Sequence, residues 1–395
     1  MASSSFWAGS RVLVTGGSGF IGRHLVSALA SHGAVVTATC HRSPERLSGL
    51  APCIRVQTLD LTEPRDAALA CAGQQVVIHA AALDGNAAFK HWHPASIMQA
   101  NLSLTLNLMT AAWRAGAERF VLISSAEVYP DWLASPICEV AELKVVIRPP
   151  FDSYALAKQV SEFIALAFWR EHGLNVVIAR PNNIYGPGDD ISDCRQRLIP
   201  TIITTLLSGQ RPLLLWGTGR QRRSFLHVTD VVEGLLLLAQ HGVPGEPVNF
   251  GHPDEIAIAA LARLLMDLSG VHVEIINDSS KPSGPHRRLL DTSRARRDLN
   301  WQPQVTLQQG LIDTIAEQDD LAGHPLAADW IADWVDEWNL GPWIRLRPAT
   351  RESASGKPEV LLDDLDRFGM ISGGLSIGLQ KMSDRWIHTY RYGRN

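Results

Sequence analysis

Tyr154 and Lys158 stand four residues apart in SYALAKQ, a spacing that puts both side chains on one face of a helix. A tyrosine with its ordinary pKa of about 10 is a poor base at neutral pH. An ammonium beside it, together with the positive ring of an oxidised nicotinamide, favours the phenolate and brings it toward the working range. Ser125 lies at the end of an apolar run, FVLISS, and could hydrogen-bond the same substrate hydroxyl. Such a trio suits proton transfer coupled to hydride transfer at a carbinol or carbonyl carbon. A Tyr-x-x-x-Lys pair alone arises by chance in many helices. Its meaning here comes from what precedes it.

That preceding element is a phosphate cradle. RVLVTG (11–16) reads as a strand and runs straight into GGSGFIGRHLV, with glycines at Gly16, Gly19 and Gly22. A glycine-rich turn between strand and helix lets the backbone approach a pyrophosphate, with the free helix N–H groups aimed at it. The spacing G-x-x-G-x-x-G is wider than the G-x-G-x-x-G dinucleotide motif. The second strand ends in Thr39-Cys40-His41-Arg42-Ser43 without the acid that would accept the ribose hydroxyls of NAD. Arg42 with Ser43 could instead clasp the extra phosphate of NADP. NADP is therefore expected ahead of NAD. Asp60, at the end of the third strand, could reach the adenine, as could Leu61 through its backbone.

Short apolar runs supply the strands that carry these residues: 11–16, 35–39, 54–60, 76–82, 120–125 and 175–181, with helices expected at 20–32, about 95–116 and 153–172. Strands rich in Val and Ile on both faces, alternating with helices, predict an α/β fold with a Rossmann-type doubly wound parallel sheet. After 181 the rhythm changes. Gly and Pro cluster, helices are expected at 194–208, 229–240, 255–269 and 304–318, and LLLW and VNFG read as short interleaved strands. The expected organisation is a dinucleotide-binding domain over 1–181, a smaller mixed α/β substrate lobe over 182–319, and a C-terminal extension over 320–395. The extension carries AADWIADWVDEWNLGPW, whose tryptophans suit core or interface anchoring.

Composition excludes several classes of function. A net charge of −4 gives no general attraction to nucleic acid or to an acidic membrane surface. No apolar run approaches the roughly 20 residues a membrane helix needs, and the N-terminus lacks the pattern of a secretory signal. The five cysteines, Cys40, Cys53, Cys71, Cys138 and Cys194, are odd in number and scattered. They form neither a metal motif nor a disulfide framework, so no metal is expected and a reducing cytoplasm fits best.

Taken together, TGGSGFIG, HAAA (79–82), Asn101, LISSAEVYP (122–130), SYALAK, RPNNIYGPGDD (180–190), LLLWGTGRQRRSFLHVTDVVEG (213–234), VNFG and RRLLDTSRARRDLNWQP (287–303) resemble the extended short-chain dehydrogenase/reductase family, and within it the nucleotide-sugar epimerases, dehydratases and reductases. The resemblance covers about residues 10–318. It implies that Gly16, Gly19, Phe20, Ile21, Gly22, Ala80, Ala81, Asn101 and Pro181 line the cofactor, and that Ser125, Tyr154 and Lys158 are catalytic. Tyr154 would be the base that takes the C4 hydroxyl proton as hydride leaves, and Lys158 would also bind the nicotinamide ribose. Asn182 or Asn183 would stand near the sugar and diphosphate, Asn183 being carried as the substrate residue. Arg223 matches a nucleotide-binding arginine and Arg287 or Arg288 a later one, a task suited to the planar guanidinium fork. The plain alternative is that these arginines tie loops together by pairing with carboxylates such as Asp230 or Asp291. The family also implies a nucleotide-diphosphate sugar as ligand and a homodimer.

Glu127 distinguishes reactions within that resemblance. In members that dehydrate or decarboxylate the sugar, a Glu two residues after the catalytic Ser/Thr serves the later proton chemistry. The hexose 4,6-dehydratases often carry Asp-Glu there, whereas this chain has Ala126-Glu127, which argues against the usual thymidine-linked glucose dehydratase. SSAEVYP and WGTG…RSF look like the GDP-sugar epimerases and epimerase/reductases. In those, a Cys replaces Glu127 and a His or Lys occupies the region of Arg197, which is carried as a substrate residue. The leading expectation is transient oxidation at C4, then epimerisation or elimination, with hydride returned. The alternative is a net NADPH-dependent reductase or epimerase/reductase of a 4-keto sugar. A non-catalytic dinucleotide-sensing regulator is disfavoured because Tyr154 and Lys158 are both kept. A steroid or flavonoid-type reductase is disfavoured by Arg223 and RRLLD.

Overall fold

The computed structural model describes residues 4–48, 54–141, 143, 152–189, 197–208, 212–281, 284 and 286–322. Cys53, Cys194 and the tryptophan-rich stretch of the extension lie outside them. Seven parallel strands form the central sheet: β1 (Arg11–Thr15), β2 (Val35–Cys40), β3 (Arg55–Thr58), β4 (Val76–His79), β5 (Arg119–Ile123), β6 (Val176–Pro181) and β7 (Pro247–Phe250). Their order is β7-β6-β5-β4-β1-β2-β3. The side-chain alternation of a strand sends successive residues to opposite faces, and the two cores follow it. Val12, Val14, Ile78, Val121 and Val177 face one layer, while Leu13, Val77, Phe120, Leu122 and Ile178 face the other.

The first layer comprises α1 (Phe20–Ser31) and two helices from the distal part of the chain, called α7 and α9 below. The second comprises α2 (Pro64–Cys71), α4 (Pro94–Arg114) and α5 (Ser153–His172). A short helix, α3 (Ala87–Trp92), precedes α4 and is capped by Asn86, whose side chain accepts from the Phe89 N–H. Pro94 then opens α4, where its missing N–H costs nothing.

Beyond β6 come α6 (Leu198–Leu207), α7 (Val228–His241), α8 (Ile258–Ser269), α9 (Ser293–Leu299) and α10 (Leu307–Ala322) with short strands between, and α6, α8 and α10 build a further core. Ile199, Ile202, Leu206, Leu261, Leu265 and Leu311 pack together in it. Not all of this segment stays apart. VNFG lies in β7 and pairs with β6, and α7 buries Val228, Val231, Leu235 and Leu238 in the first layer. The chain thus leaves the sheet after 181 and returns to it twice. LLLW pairs in parallel with Ile275–Asp278, a partner whose polar Asn-Asp end hides it from a hydrophobicity reading.

Candidate active site

The glycine turn is built as its composition requires. Gly16 has φ +64, a conformation L side chains rarely adopt, and a Cβ there would sit 2.8 Å from Ala81 Cα. A Cβ at Gly22 would overlap the carbonyl oxygen of Gly16. α1 begins at Phe20 with Gly19 as N-cap and no side chain bonding its first N–H groups. Those donors, with the positive end of the helix, fit a pyrophosphate. The turn lies where β1 meets β4 in the sheet, the point at which strand order reverses. On β4, the Ala81 N–H donates to Thr15 Oγ1 and Thr15 pairs with His79 Nδ1 at 3.0 Å. His79 is buried, and burial with nearby Lys158 lowers its pKa to about 3. A neutral imidazole thus locks the two strand ends.

At the adenosine end, Arg42 is exposed and makes no ion pair among the described residues. Burial alone would raise the pKa of Asp60, but hydrogen bonds from the Thr62 hydroxyl and N–H, with His41 and Arg42 nearby, hold it below the usual carboxylate range. Leu61 is buried, and its carbonyl accepts from Asn107. Asn101 spends its amide on the protein. It accepts from Leu83 N–H at 3.0 Å and donates to the Leu83 and Ile97 carbonyls. It therefore pins the segment that carries Ala80 and Ala81.

The sheet brings the catalytic trio together. Ser125 follows β5 and caps the next turn, its hydroxyl accepting from Glu127 N–H. Asp152 caps α5 through the Ala155 N–H, so Tyr154 and Lys158 occupy its first turns, both buried. Lys158 Nζ lies 5.7 Å from the Tyr154 ring centre and donates to the Ile123 carbonyl at 2.8 Å. Burial pulls its pKa down to about 8 against the pull of Asp84 and Glu162. Burial also raises Tyr154 well above the usual phenol, with Asp84 and Glu127 adding to it and Arg197 opposing. The protein's own charges and burial therefore disfavour the phenolate, and the lowering toward neutral pH expected from the neighbouring ammonium is not seen in the protein alone.

Two groups were not singled out from sequence. Lys90, on α3, donates to both Glu127 oxygens at 2.7 Å and pairs with Asp84 at 3.1 Å, with its Nζ 4.3 Å from the Tyr154 ring centre. Burial opposes its charge, but Glu127 and Asp84 more than compensate and hold it above an ordinary lysine. Nothing in AAFKHW marks this lysine out, since a six-residue helix shows no periodicity. Arg180, ending β6, forms a buried two-pronged ion pair with Glu162, at 2.9 and 2.6 Å, and donates to Tyr129 Oη. Here a signal exists: Tyr154, Lys158, Ser161, Glu162 and Ala165 trace one buried face of α5.

In the second lobe, Arg222–Arg223 pairs in parallel with Arg287–Arg288, in register Arg287 with Arg222 and Arg288 with Arg223. Alternation separates the two arginines that sequence left open. Arg287 turns with Arg222 to Glu255, at 2.6 and 4.0 Å. Arg288 stands with Arg223 and pairs with Asp131. Burial, then the neighbouring Arg288, lowers the Arg223 pKa to about 10. Neither Asp230 nor Asp291 takes these arginines. Asp230 accepts from Gln304 and Val305 N–H, and Asp291 from Ser293 N–H. Asn183, at φ 28, donates to the Ser224 carbonyl, and Asn182 to that of Arg288. Arg197 pairs with Asp189 at 2.6 Å and covers the Phe20 ring at 4.8 Å, bridging the glycine turn and the second lobe. Ile21 packs against the first core, and Pro181 closes β6.

A model of the NAD dependent epimerase/dehydratase family matches residues 12–251. The chain belongs to that family. It is 34% identical over 316 residues to a dTDP-4-dehydro-6-deoxy-D-allose reductase of Streptomyces bikiniensis, spanning 78% of this chain and 96% of the relative. Among solved structures it resembles DesIV, a dTDP-glucose 4,6-dehydratase from Streptomyces venezuelae with NAD and TYD bound. That match has a TM-score of 0.70 at 29% identity, over 79% of this chain and 98% of the other. It also resembles RMD from Pseudomonas aeruginosa complexed with NADPH, with a TM-score of 0.64 at 28% identity over 79% and 99%. For this family member, the glycine turn, Ser125, Tyr154 and Lys158 fall at the C-terminal edge of one sheet. Among the described residues no metal-ligating cluster occurs, and no helix is long and apolar enough to cross a membrane.

Proposed function

We propose that this family member transfers hydride at C4 of a nucleotide-linked sugar, with Tyr154 as the proton carrier, and that its net reaction is reduction of a 4-keto group by NADPH. The observation that carries the reading is the buried Tyr154–Lys158 pair beside a glycine turn fitted to a pyrophosphate. The nicotinamide, when bound, supplies hydride. Tyr154 gives its proton to the C4 oxygen as charge develops there, and Ser125 holds that oxygen by a hydrogen bond. Lys158 offsets the phenolate left behind. Net reduction is supported by two features: the exposed Arg42 without a neighbouring strand-end acid, and the reductase relative. Oxidation at C4 followed by epimerisation or elimination and hydride return uses the same trio, and the family description supports it.

The cofactor is assigned to the part spanning 1–181. The nucleotide sugar is assigned to 182–319, where Arg223 and Arg288 share one side, with Asn183 and Arg197 nearer the sugar. The extension over 320–395 has no assigned role. A homodimer is supported by exposed Leu106, Trp113, Phe163 and Trp169 on the adjacent helices α4 and α5, and a cytoplasmic setting by the scattered cysteines. The deciding experiment incubates the purified chain with NADPH and a nucleotide-linked 4-keto-6-deoxy sugar. NADPH consumption matched by the 4-hydroxy product is expected. Turnover of a 4-hydroxy sugar on catalytic NAD, without NADPH use, would instead establish the recycling reaction.

A further inference from the structure

The charges around Tyr154 do not all belong to the Ser-Tyr-Lys trio. Asp84 comes from the segment after β4, Glu127 from the turn after β5, Asp152 and Lys158 from α5, Arg197 from the start of α6 and Lys90 from α3. The carboxylates oppose a phenolate; the cations favour it. Lys90 is placed to answer both kinds at once. Its side chain is only 16% exposed, it takes both oxygens of Glu127 and one of Asp84, and its ammonium faces the ring itself.

We propose that Lys90 is a positioning residue for Tyr154: it neutralises the Glu127 and Asp84 carboxylates beside the phenol and faces the ring as a second cation, so that the site can carry the phenolate that proton donation leaves. This rests on the acid role assigned to Tyr154 above. It has a consequence for Glu127. Held on both oxygens by the Lys90 ammonium, Glu127 is fixed as an acceptor toward α3, and Lys90 favours its charge against the burial that raises its pKa.

The test uses the full chain without substrate. Difluorotyrosine, whose phenol is more acidic than that of tyrosine, is placed at position 154 and its titration is followed by fluorine NMR. Lys90→Met is expected to move the midpoint upward by about one pH unit or more, a tenfold change in the equilibrium. Glu127→Gln is expected to move it downward, and Lys90→Arg to leave it near the starting value. With tyrosine at 154, Lys90→Met should lower kcat with KM little changed. If Lys90→Met does not fold, the other two variants, which keep a cation at 90, decide. A midpoint that Glu127→Gln does not move overturns the proposal and makes Lys90 a tie between α3 and the turn after β5. Failure of the acid reading is separate: turnover surviving in Tyr154→Phe would remove Tyr154 from the chemistry while leaving the measured charge coupling intact.

Discussion

At the scale of single residues, the site works by placing one proton between opposed charges. Tyr154 sits buried among the cations Lys90 and Lys158 and the carboxylates Asp84, Glu127 and Asp152. In the proposed reaction its phenol carries the proton, and the glycine turn holds the cofactor. Tyr154→Phe should therefore abolish turnover while cofactor affinity, measured by fluorescence titration, stays within a few-fold of the starting protein. A Phe variant that still turns over would show that another group carries the proton. Arg42 makes the complementary statement about cofactor choice. Its guanidinium is exposed, so removing it disturbs little within the protein. If it holds the 2′-phosphate, Arg42→Ala weakens NADP far more than NAD. A charge-assisted contact of roughly 1.5–3 kcal/mol corresponds to about ten- to over a hundredfold. Equal loss for both cofactors, measured by calorimetry, would refute the NADP preference.

The elements hold these residues in place through buried polar ties, and one such tie makes stability depend on pH. His79 ends β4 and joins Thr15 of β1 to Thr105 of α4. Its pKa falls from 6.5 to about 3 on burial, so the unfolded chain binds a proton that the folded chain refuses between those values. Its contribution is full above pH 6.5 and is lost as pH falls toward 3. Between pH 7 and 5 the protein should lose about 2 kcal/mol of unfolding free energy through this group. Urea unfolding at both pH values, compared with His79→Gln, isolates it; equal pH slopes would mean that His79 is charged when folded. The sheet itself was legible because its strands are apolar on both faces, and the catalytic trio because each member sits at a strand end or helix start. Lys90 was not legible: its partners Asp84 and Glu127 lie on other loops, and only the folded sheet edge assembles them. Nor did sequence separate Arg287 from Arg288, since either could lead until strand register assigned them to opposite sides.

At the scale of the whole molecule, the proposed function has two cores act on one ligand. The sheet offers the glycine turn and Tyr154, and the second lobe offers a pair of arginines on one side of a short strand pairing. Burial disfavours the charge of Arg223, and the neighbouring Arg288 adds to that against the pull of Asp131 and Glu255. Two guanidinium groups on one side of the strand pair suit a diphosphate. Arg287, on the opposite side, is bound to Glu255 and provides an internal control. A nucleoside diphosphate should raise the melting temperature, since a ligand at about 100 times its Kd that binds only the folded state adds about 2.7 kcal/mol. Free hexose should do nothing measurable. Arg223→Ala should remove the response while leaving the free protein folded. Arg287→Ala should lower that temperature slightly by stranding the buried Glu255, yet keep the response. If instead Arg287→Ala loses the response and Arg223→Ala keeps it, the diphosphate lies on the other side of the strand pair. A lowered melting temperature with retained response in Arg223→Ala would make that arginine structural and withdraw the main local support for a nucleotide-linked substrate.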